Sequence, residues 1–202
     1  MELQDDEPLE AEDLDALDLD DDAELDGGII PDDYDELDDD YDDYEDASPE
    51  EIDFAVAMYR EDGAPIVAEL GPMYANDLDE LIAQLRRLPG DAGALGAVSI
   101  AGEFFVLCRV RGRTVQVLLS DGGAANDWPI ARDVVDYLGI EVPDPDDDIE
   151  PVGDIGLLAD QGISEFDMDN ILDDIDEDSD RLVRQIAKML RFESQFDKVV
   201  GR

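Results

Sequence analysis

The sequence predicts an α+β fold: a mainly antiparallel sheet of about five strands in the order β-β-α-β-β-β-α, followed by a small helical unit. Three observations support this prediction. Short apolar runs alternate with turns, two further runs have helical periodicity, and the turns between the later strands have hairpin length. Such short turns make neighbouring strands antiparallel. The 202-residue chain divides into an acidic tail (1–51), an α+β domain (52–142), an acidic linker (143–153) and a helical segment (154–202).

The first elements follow in chain order. In DFAVAMYRED, residues 53–62, every second residue from Phe54 to Met58 is apolar, which predicts a strand that ends at a turn around Gly63. A second strand ends at Leu70. NDLDELIAQLRRLPG, residues 76–90, predicts a helix capped by Asn76 or Asp77, because its apolar residues share one face. These are Leu78, Leu81, Ile82, Leu85 and Leu88.

Three further strands are predicted at AVSI, FFVLCRV and TVQVLLS, residues 97–100, 104–110 and 114–120. The middle strand contains Arg109 and the single cysteine, Cys108, whose thiol we expect to be buried. A helix should then run from Pro129 to Leu138 and end at Gly139. Its predicted buried face comprises Ile130, Val134, Tyr137 and Leu138.

The C-terminal segment predicts three helical pieces. The first is DIGLLADQG, which Gly162 ends, and the second begins after a Ser164 cap. The third runs from Ser179 toward Val200. The apolar faces predicted for the second and third pieces are Met168, Ile171, Leu172 and Ile175, and Leu182, Ile186, Met189 and Leu190. Because so small a unit is barely stable alone, we expect it to pack on the sheet or on a partner.

Negative charge is concentrated at the N-terminus. The formal net charge is -46, and residues 1–53 hold 28 acidic residues and no basic one. Such a segment cannot bury enough apolar surface to offset its chain entropy, so we predict a disordered tail. We find no signal peptide pattern and no apolar run near the roughly 20 residues that span a bilayer, which predicts a cytoplasmic protein without a membrane partner.

The residue types restrict the chemistry. Histidine is absent and cysteine occurs once, which excludes a Ser-His-Asp triad, a histidine metal ligand and a cysteine zinc site within one chain. The P-loop and dinucleotide motifs are missing. Asp174, Asp176, Asp178 and Asp180 alternate like the start of a calcium loop, but Ser179 replaces the glycine and Gln185 the last acidic ligand. The sequence therefore predicts no catalytic residue, cofactor or metal.

The stretch LLSDGGAANDWPIARDVVDYLG, residues 118–139, most resembles a ligand site, because glycines between a strand and a helix start often hold phosphates. Asp121 and Asp127 would repel an anion, however. Loop glycines and a helix-start proline also have backbone roles of their own, so we favour a structural corner that Trp128 covers. An enzyme that uses carboxylates remains an alternative, and it requires Asp121 and Asp127 to converge in a deep pocket.

Basic residues form two small groups. Arg109, Arg111 and Arg113 lie on a predicted hairpin, and a second group lies on one face of the last helix. This second group comprises Arg181, Arg184, Lys188 and Arg191, and we expect it to pair with nearby acids. The acidic net charge repels a phosphate backbone, so we expect no direct binding of nucleic acid.

Residues 117–154, VLLSDGGAANDWPIARDVVDYLGIEVPDPDDDIEPVGD, resemble the bacterial family of tRNA adenosine deaminase-associated proteins. DFAVAMYRED and GLLADQGIS resemble the same family, so the likeness covers about residues 53–200 and omits the acidic tail. The resemblance implies an association with the deaminase that converts adenosine to inosine in tRNA anticodons. It supplies no catalytic residues.

The leading hypothesis is therefore a non-catalytic accessory protein that binds a partner with a basic surface, with tRNA adenosine deaminase as the candidate. The candidate contact residues are Tyr34, Tyr41 and Tyr44 of the tail, and Asp121, Asp127 and Trp128 of the corner. Alternatives are an acidic mimic of nucleic acid that occupies a basic groove, a solubility factor without a dedicated partner, and the carboxylate enzyme.

Overall fold

A six-stranded antiparallel sheet in the spatial order β2-β1-β3-β4-β5-β6 forms the centre of the fold. The computed structural model describes residues 45–90, 92–144 and 150–201. Its strands are β1 Ile52–Glu61, β2 Ala64–Glu69, β3 Ala94–Ile100, β4 Phe104–Arg111, β5 Thr114–Leu119 and β6 Val152–Gly153. The predicted fold class and element order are confirmed, and the two-residue β6 is an addition that the sequence analysis missed.

Five α-helices complete the described residues: α1 Leu78–Leu85, α2 Pro129–Leu138, α3 Glu165–Leu172, α4 Ser179–Met189 and α5 Glu193–Val200. Short 3₁₀ turns lie at Pro72–Ala75, Gly122–Asn126 and Ala159–Gln161. The predicted bounds of α2 are confirmed, as is its end at Gly139, whose φ of 67° is a left-handed conformation that suits glycine. No helix in these ranges is long and apolar enough to cross a membrane.

Helices cover both faces of the sheet. One apolar cluster packs α1 and α2 on side chains such as Val98, Val106 and Leu119. The other packs α3, α4 and α5 on the opposite face, where Phe54 and Phe196 make an edge-to-face contact with centroids 5.2 Å apart. Because both faces of the sheet are covered, all residues of β3 and all but the last residue of β4 are buried, without an alternation of buried and exposed positions. The helical segment thus packs on the sheet, one of the two possibilities that we expected. Its separation from residues 52–142 as a domain stays a prediction.

Tight turns set the order of the strands. Asp62 and Gly63 have φ of 51° and 79°, and Ala101 and Gly102 have φ of 55° and 68°. In the two-residue turn between β1 and β2 these conformations match the twist of the hairpin, and the three-residue turn between β3 and β4, residues 101–103, begins with two left-handed residues. The turns therefore join β1 to β2 and β3 to β4 as antiparallel neighbours.

Four details of the predicted helices are wrong. Tyr137, Ile175 and Met189, which we placed on buried faces, are 49%, 67% and 39% exposed. The last predicted helix is two helices, α4 and α5, because Arg191 takes a left-handed φ of 64° between them. Ile175 lies beyond the end of α3 at Leu172, whereas Tyr137 and Met189 lie on exposed sides of α2 and α4 next to residues that pack on the core, Leu138 and Leu190.

Candidate functional site

The glycine-bearing corner after β5 is a short 3₁₀ turn whose polar groups are used within the chain. Asp121 caps it, since its carboxylate accepts a hydrogen bond from the Gly123 amide N–H at 2.8 Å. The Gly122 N–H donates to the Glu150 carbonyl at 2.8 Å, and the Trp128 N–H to the Ala124 carbonyl at 3.0 Å. An anion bound here would have to displace these partners. The hydrogen bonds support the structural interpretation of the corner.

Residues at the two ends of the acidic linker, residues 143–153, pack against this corner. Asn126 donates its side-chain N–H to the carbonyls of Gly123 and Pro143, at 2.9 and 3.0 Å. A Cβ built on Gly122 would lie 3.0 Å from Pro143 Cγ and 3.1 Å from Val152 Cγ1. Glycine therefore suits this position, because any side chain would push against the returning chain.

Asp121, Asp127 and Trp128 have different surroundings. Trp128 is half-buried, and its ring packs on the core with its centroid 6.0 Å from that of Phe104. Asp127 is exposed at the other end of the 3₁₀ turn from Asp121. Of the three predicted contact residues of the corner, Asp127 is thus the exposed one. Tyr34, Tyr41 and Tyr44 lie outside the described residues, and a role of all six in protein binding stays a prediction.

Arg109, which we grouped with Arg111 and Arg113 on a hairpin, is a buried link between β4 and the C-terminal segment. Its guanidinium is 2% exposed and donates to the carbonyls of Leu157, at 2.6 Å, and Ala92, at 3.2 Å. It also forms a bidentate pair with Asp160, which Arg111 contacts at 2.8 Å. The hydrogen bond from Arg109 holds the pKa of the Asp160 carboxyl below its usual value. The GLLADQG stretch therefore has a structural role.

Three of the four residues in the second basic group, Arg181, Arg184 and Lys188, pair with acids, as expected. Ion pairs join Arg181 to Glu177 at 2.8 Å, Arg184 to Asp197, and Lys188 to Glu193 at 3.7 Å. Ser179, which lies among the alternating aspartates at the start of α4, is buried. Its hydroxyl oxygen lies 2.7 Å from that of Ser99, at hydrogen-bond distance. Among the described residues no group of three or more carboxylate or thiol side chains is arranged to hold a metal ion.

The surface that the sequence analysis missed lies at the C-terminal end of α2. An open groove of about 670 Å³ separates this end from the chain that follows β6. Its lining comprises Leu138, Ile140, Gly153, Asp154, Ile155, Gly156 and Glu165. Ile140 is 42% exposed here, beside the exposed Tyr137. An apolar groove of this kind is typical of a contact surface. We name it the α2 groove.

A second cleft, of about 350 Å³, is acidic and lies between the start of α1 and α2. Its lining comprises Asp77, Leu78, Asp79, Asp133, Asp136 and Tyr137. Asp133 joins the two helices, because its carboxylate accepts a hydrogen bond from the Leu78 N–H at 3.0 Å. Partial burial, and secondarily the neighbouring carboxylates, raise the pKa of Asp133 above its usual value, although that hydrogen bond opposes the shift. Tyr137 therefore lines the acidic cleft, and Leu138, the next residue of α2, lines the α2 groove.

A third cleft, of about 460 Å³, lies where β1 and β2 meet the end of α5. It is lined by Pro49, Ile52, Asp53, Phe54, Ala55, Val56, Glu69, Leu70, Pro72, Val199 and Val200. The Asp53 carboxylate within it accepts hydrogen bonds from the Ser99 hydroxyl and the Gly102 N–H, both at 2.8 Å. Asp121, Asp127 and Trp128 line none of these three clefts. The convergence that the carboxylate enzyme requires is therefore not seen in them.

Comparison with known proteins gives a consistent result. Residues 53–193 match the model of a family described as Rv3753c-like tRNA adenosine deaminase-associated protein. Protein Rv3753c of Mycobacterium tuberculosis (strain ATCC 25618 / H37Rv) is 36% identical over 153 residues, which cover 74% of this chain and 88% of that relative. No solved structure matches the chain.

Proposed function

Because the chain belongs to the Rv3753c-like tRNA adenosine deaminase-associated protein family, we propose that it is a non-catalytic accessory protein of a tRNA adenosine deaminase. The observation that carries the proposal is the family match over residues 53–193, which includes almost all of the described fold. The family description names an associated protein and not the deaminase itself.

The chemistry of the chain supports an accessory role. A zinc deaminase needs a His or Cys ligand set with a P-C-x-x-C motif, which this sequence cannot supply with no histidine and one cysteine. Cys108 is buried on β4, and burial raises the pKa of its thiol to about 12, so it is not a reactive thiolate at neutral pH. The deaminase reaction therefore belongs to the partner.

The charge of the chain supports a partner with a basic surface. An enzyme that binds tRNA needs cationic side chains to contact phosphates. A chain of net charge -46 is attracted to such a surface, and this attraction speeds encounter more than it raises affinity. The acidic segment with Tyr34, Tyr41 and Tyr44 supplies charge and aromatic anchors for the contact.

A binding measurement with the purified tRNA adenosine deaminase of the same organism tests the proposal. The full chain is compared with the Tyr34→Ala/Tyr41→Ala/Tyr44→Ala variant and with a chain that begins at residue 45, and thermal unfolding confirms that each variant is folded. We expect the full chain to bind and the shortened chain to associate more slowly, with a smaller salt dependence. If the full chain does not bind the deaminase at low salt, the proposal is wrong.

A further inference from the structure

We propose that the α2 groove binds an apolar side chain from a segment of a partner protein that also carries lysine or arginine. This inference rests on the proposed function, because it names the surface through which that association takes place. It is argued from the shape, exposure and charge of the groove.

The fold does not need the exposed apolar residues at the C-terminal end of α2. The core face of α2 is complete with Ile130, Ala131, Val134 and Val135, all of which are fully buried. Beyond it, the left-handed Gly139 turns the chain, and the Ile140 N–H donates to the Val135 carbonyl at 3.2 Å. This end motif directs Ile140 to the surface, where it lines a groove that can take an apolar side chain, and Tyr137, one turn earlier in α2, is also exposed.

The charge of the residues around the α2 groove favours a cationic partner. Both charged residues that line the groove, Asp154 and Glu165, are acids. Tyr137, next to Leu138 in α2, lines the cleft that holds Asp77, Asp79 and Asp133. An apolar centre inside a charged rim is the usual arrangement of an interface, and this rim is complementary to cations.

The same acidic charge disfavours three other occupants of the α2 groove: a lipid surface, an RNA and a second copy of the chain. An anionic lipid surface or an RNA backbone would be repelled by the acidic rim. A second copy of this chain, bound through the same patch by two-fold symmetry, would bring the acids of both rims together. A basic segment of another protein is the occupant that gains from both the groove and its rim.

Binding kinetics with the purified tRNA adenosine deaminase, measured on the full chain, test this inference. Ile140→Ser and Tyr137→Ser remove the exposed apolar groups, and Met73→Ser and Ile175→Ser are matched controls because these residues are also exposed. We expect Ile140→Ser to weaken binding about ten-fold or more through faster dissociation, and the controls to change it less than about two-fold. Asp154→Asn/Glu165→Gln should slow association at low salt with little effect on dissociation.

The outcomes separate the two proposals. If the unaltered chain binds the deaminase and both Ile140→Ser and Tyr137→Ser bind within about two-fold of it, the groove is not the contact and the proposed function stands. If the unaltered chain does not bind, both proposals are wrong. A dimer of the chain in sedimentation that Ile140→Ser dissociates would assign the groove to a second copy and overturn the inference. Unchanged thermal midpoints confirm that no effect arises from unfolding.

Discussion

The corner after β5 and the end of α2 are neighbours in sequence, but they use their residues in opposite ways. At the corner, Asp121, Gly122 and Trp128 have the residue types of a ligand site, yet the chain uses them to cap a turn, admit a returning strand and cover the core. At the end of α2, Tyr137 and Ile140 have the residue types of a core, yet they are exposed. The comparison shows that residue type alone does not identify a surface for binding.

Replacing Trp128 is the strongest test of the structural role of the corner. We expect Trp128→Ala to lower the free energy of unfolding by about 3 kcal/mol, because the lost ring leaves a cavity against Phe104. Tyr137→Ala, its control on the exposed side of α2, should change that free energy by less than about 0.5 kcal/mol. Urea unfolding measures both. Equal effects of the two substitutions would contradict the distinction between the regions.

Gly122→Val tests the close approach of the returning chain. The new side chain would meet Pro143 and Val152, and we expect the overpacking to lower the free energy of unfolding by about 1–3 kcal/mol. Gly71→Ala is the control, because a Cβ at Gly71 meets nothing within 4 Å. Thermal unfolding checks the difference, and a valine tolerated as well as the control alanine would show that the corner is open.

Asp121→Ala tests the cap of the 3₁₀ turn. Without the carboxylate, the Gly123 N–H loses its acceptor, and we expect a loss of about 1 kcal/mol in the free energy of unfolding. Asp121→Asn keeps an acceptor and should restore most of it. If the asparagine variant is as unstable as the alanine variant, the negative charge and not the cap is what the corner requires.

Asp133→Asn should have the smallest effect, and its sign is favourable. Burial raises the pKa of Asp133 in the folded state, so the folded chain binds this proton more tightly than the unfolded chain, and ionisation costs stability at pH 7. Asparagine keeps an oxygen that accepts the hydrogen bond from the Leu78 N–H. We expect the free energy of unfolding at pH 7 to rise by less than about 1 kcal/mol, since the carboxyl is only partly buried.

The gain from Asp133→Asn should fade as the pH falls through the raised pKa of the folded state toward about 4, and should be absent below that pH, where the aspartate is protonated in both states. Urea unfolding of both chains across this pH range gives the measurement. A loss of stability at pH 7 would show that the ionised carboxylate has a favourable partner at the acidic cleft.

Local features of the sequence were enough to predict most of the fold. The hairpin turns at Gly63 and Gly102 and the Gly139 end of α2 depend on residues a few positions apart, so the sequence predicts them. β6 has no such pattern, because it consists of two residues. It exists because Gly153, with φ of 114°, lets the chain approach the Val117 carbonyl, where a Cβ would lie 2.3 Å away.

The sites were harder to predict because they depend on contacts between distant residues. Arg109 looked like a surface cation, and its burial depends on Asp160 and the Leu157 carbonyl, both about fifty positions further along the chain. Tyr137 fits the apolar period of α2, yet it is exposed, while the buried face of the helix is formed by Ile130, Ala131, Val134 and Val135. Neither fact is present in the local pattern.

Hydrogen–deuterium exchange of the full chain with and without the tRNA adenosine deaminase tests the central claim most directly. We predict that the deaminase protects amides of residues 137–140 and 153–156, which border the α2 groove, and leaves those of residues 121–127 unchanged. Protection confined to the corner, with none at the groove, would contradict the account.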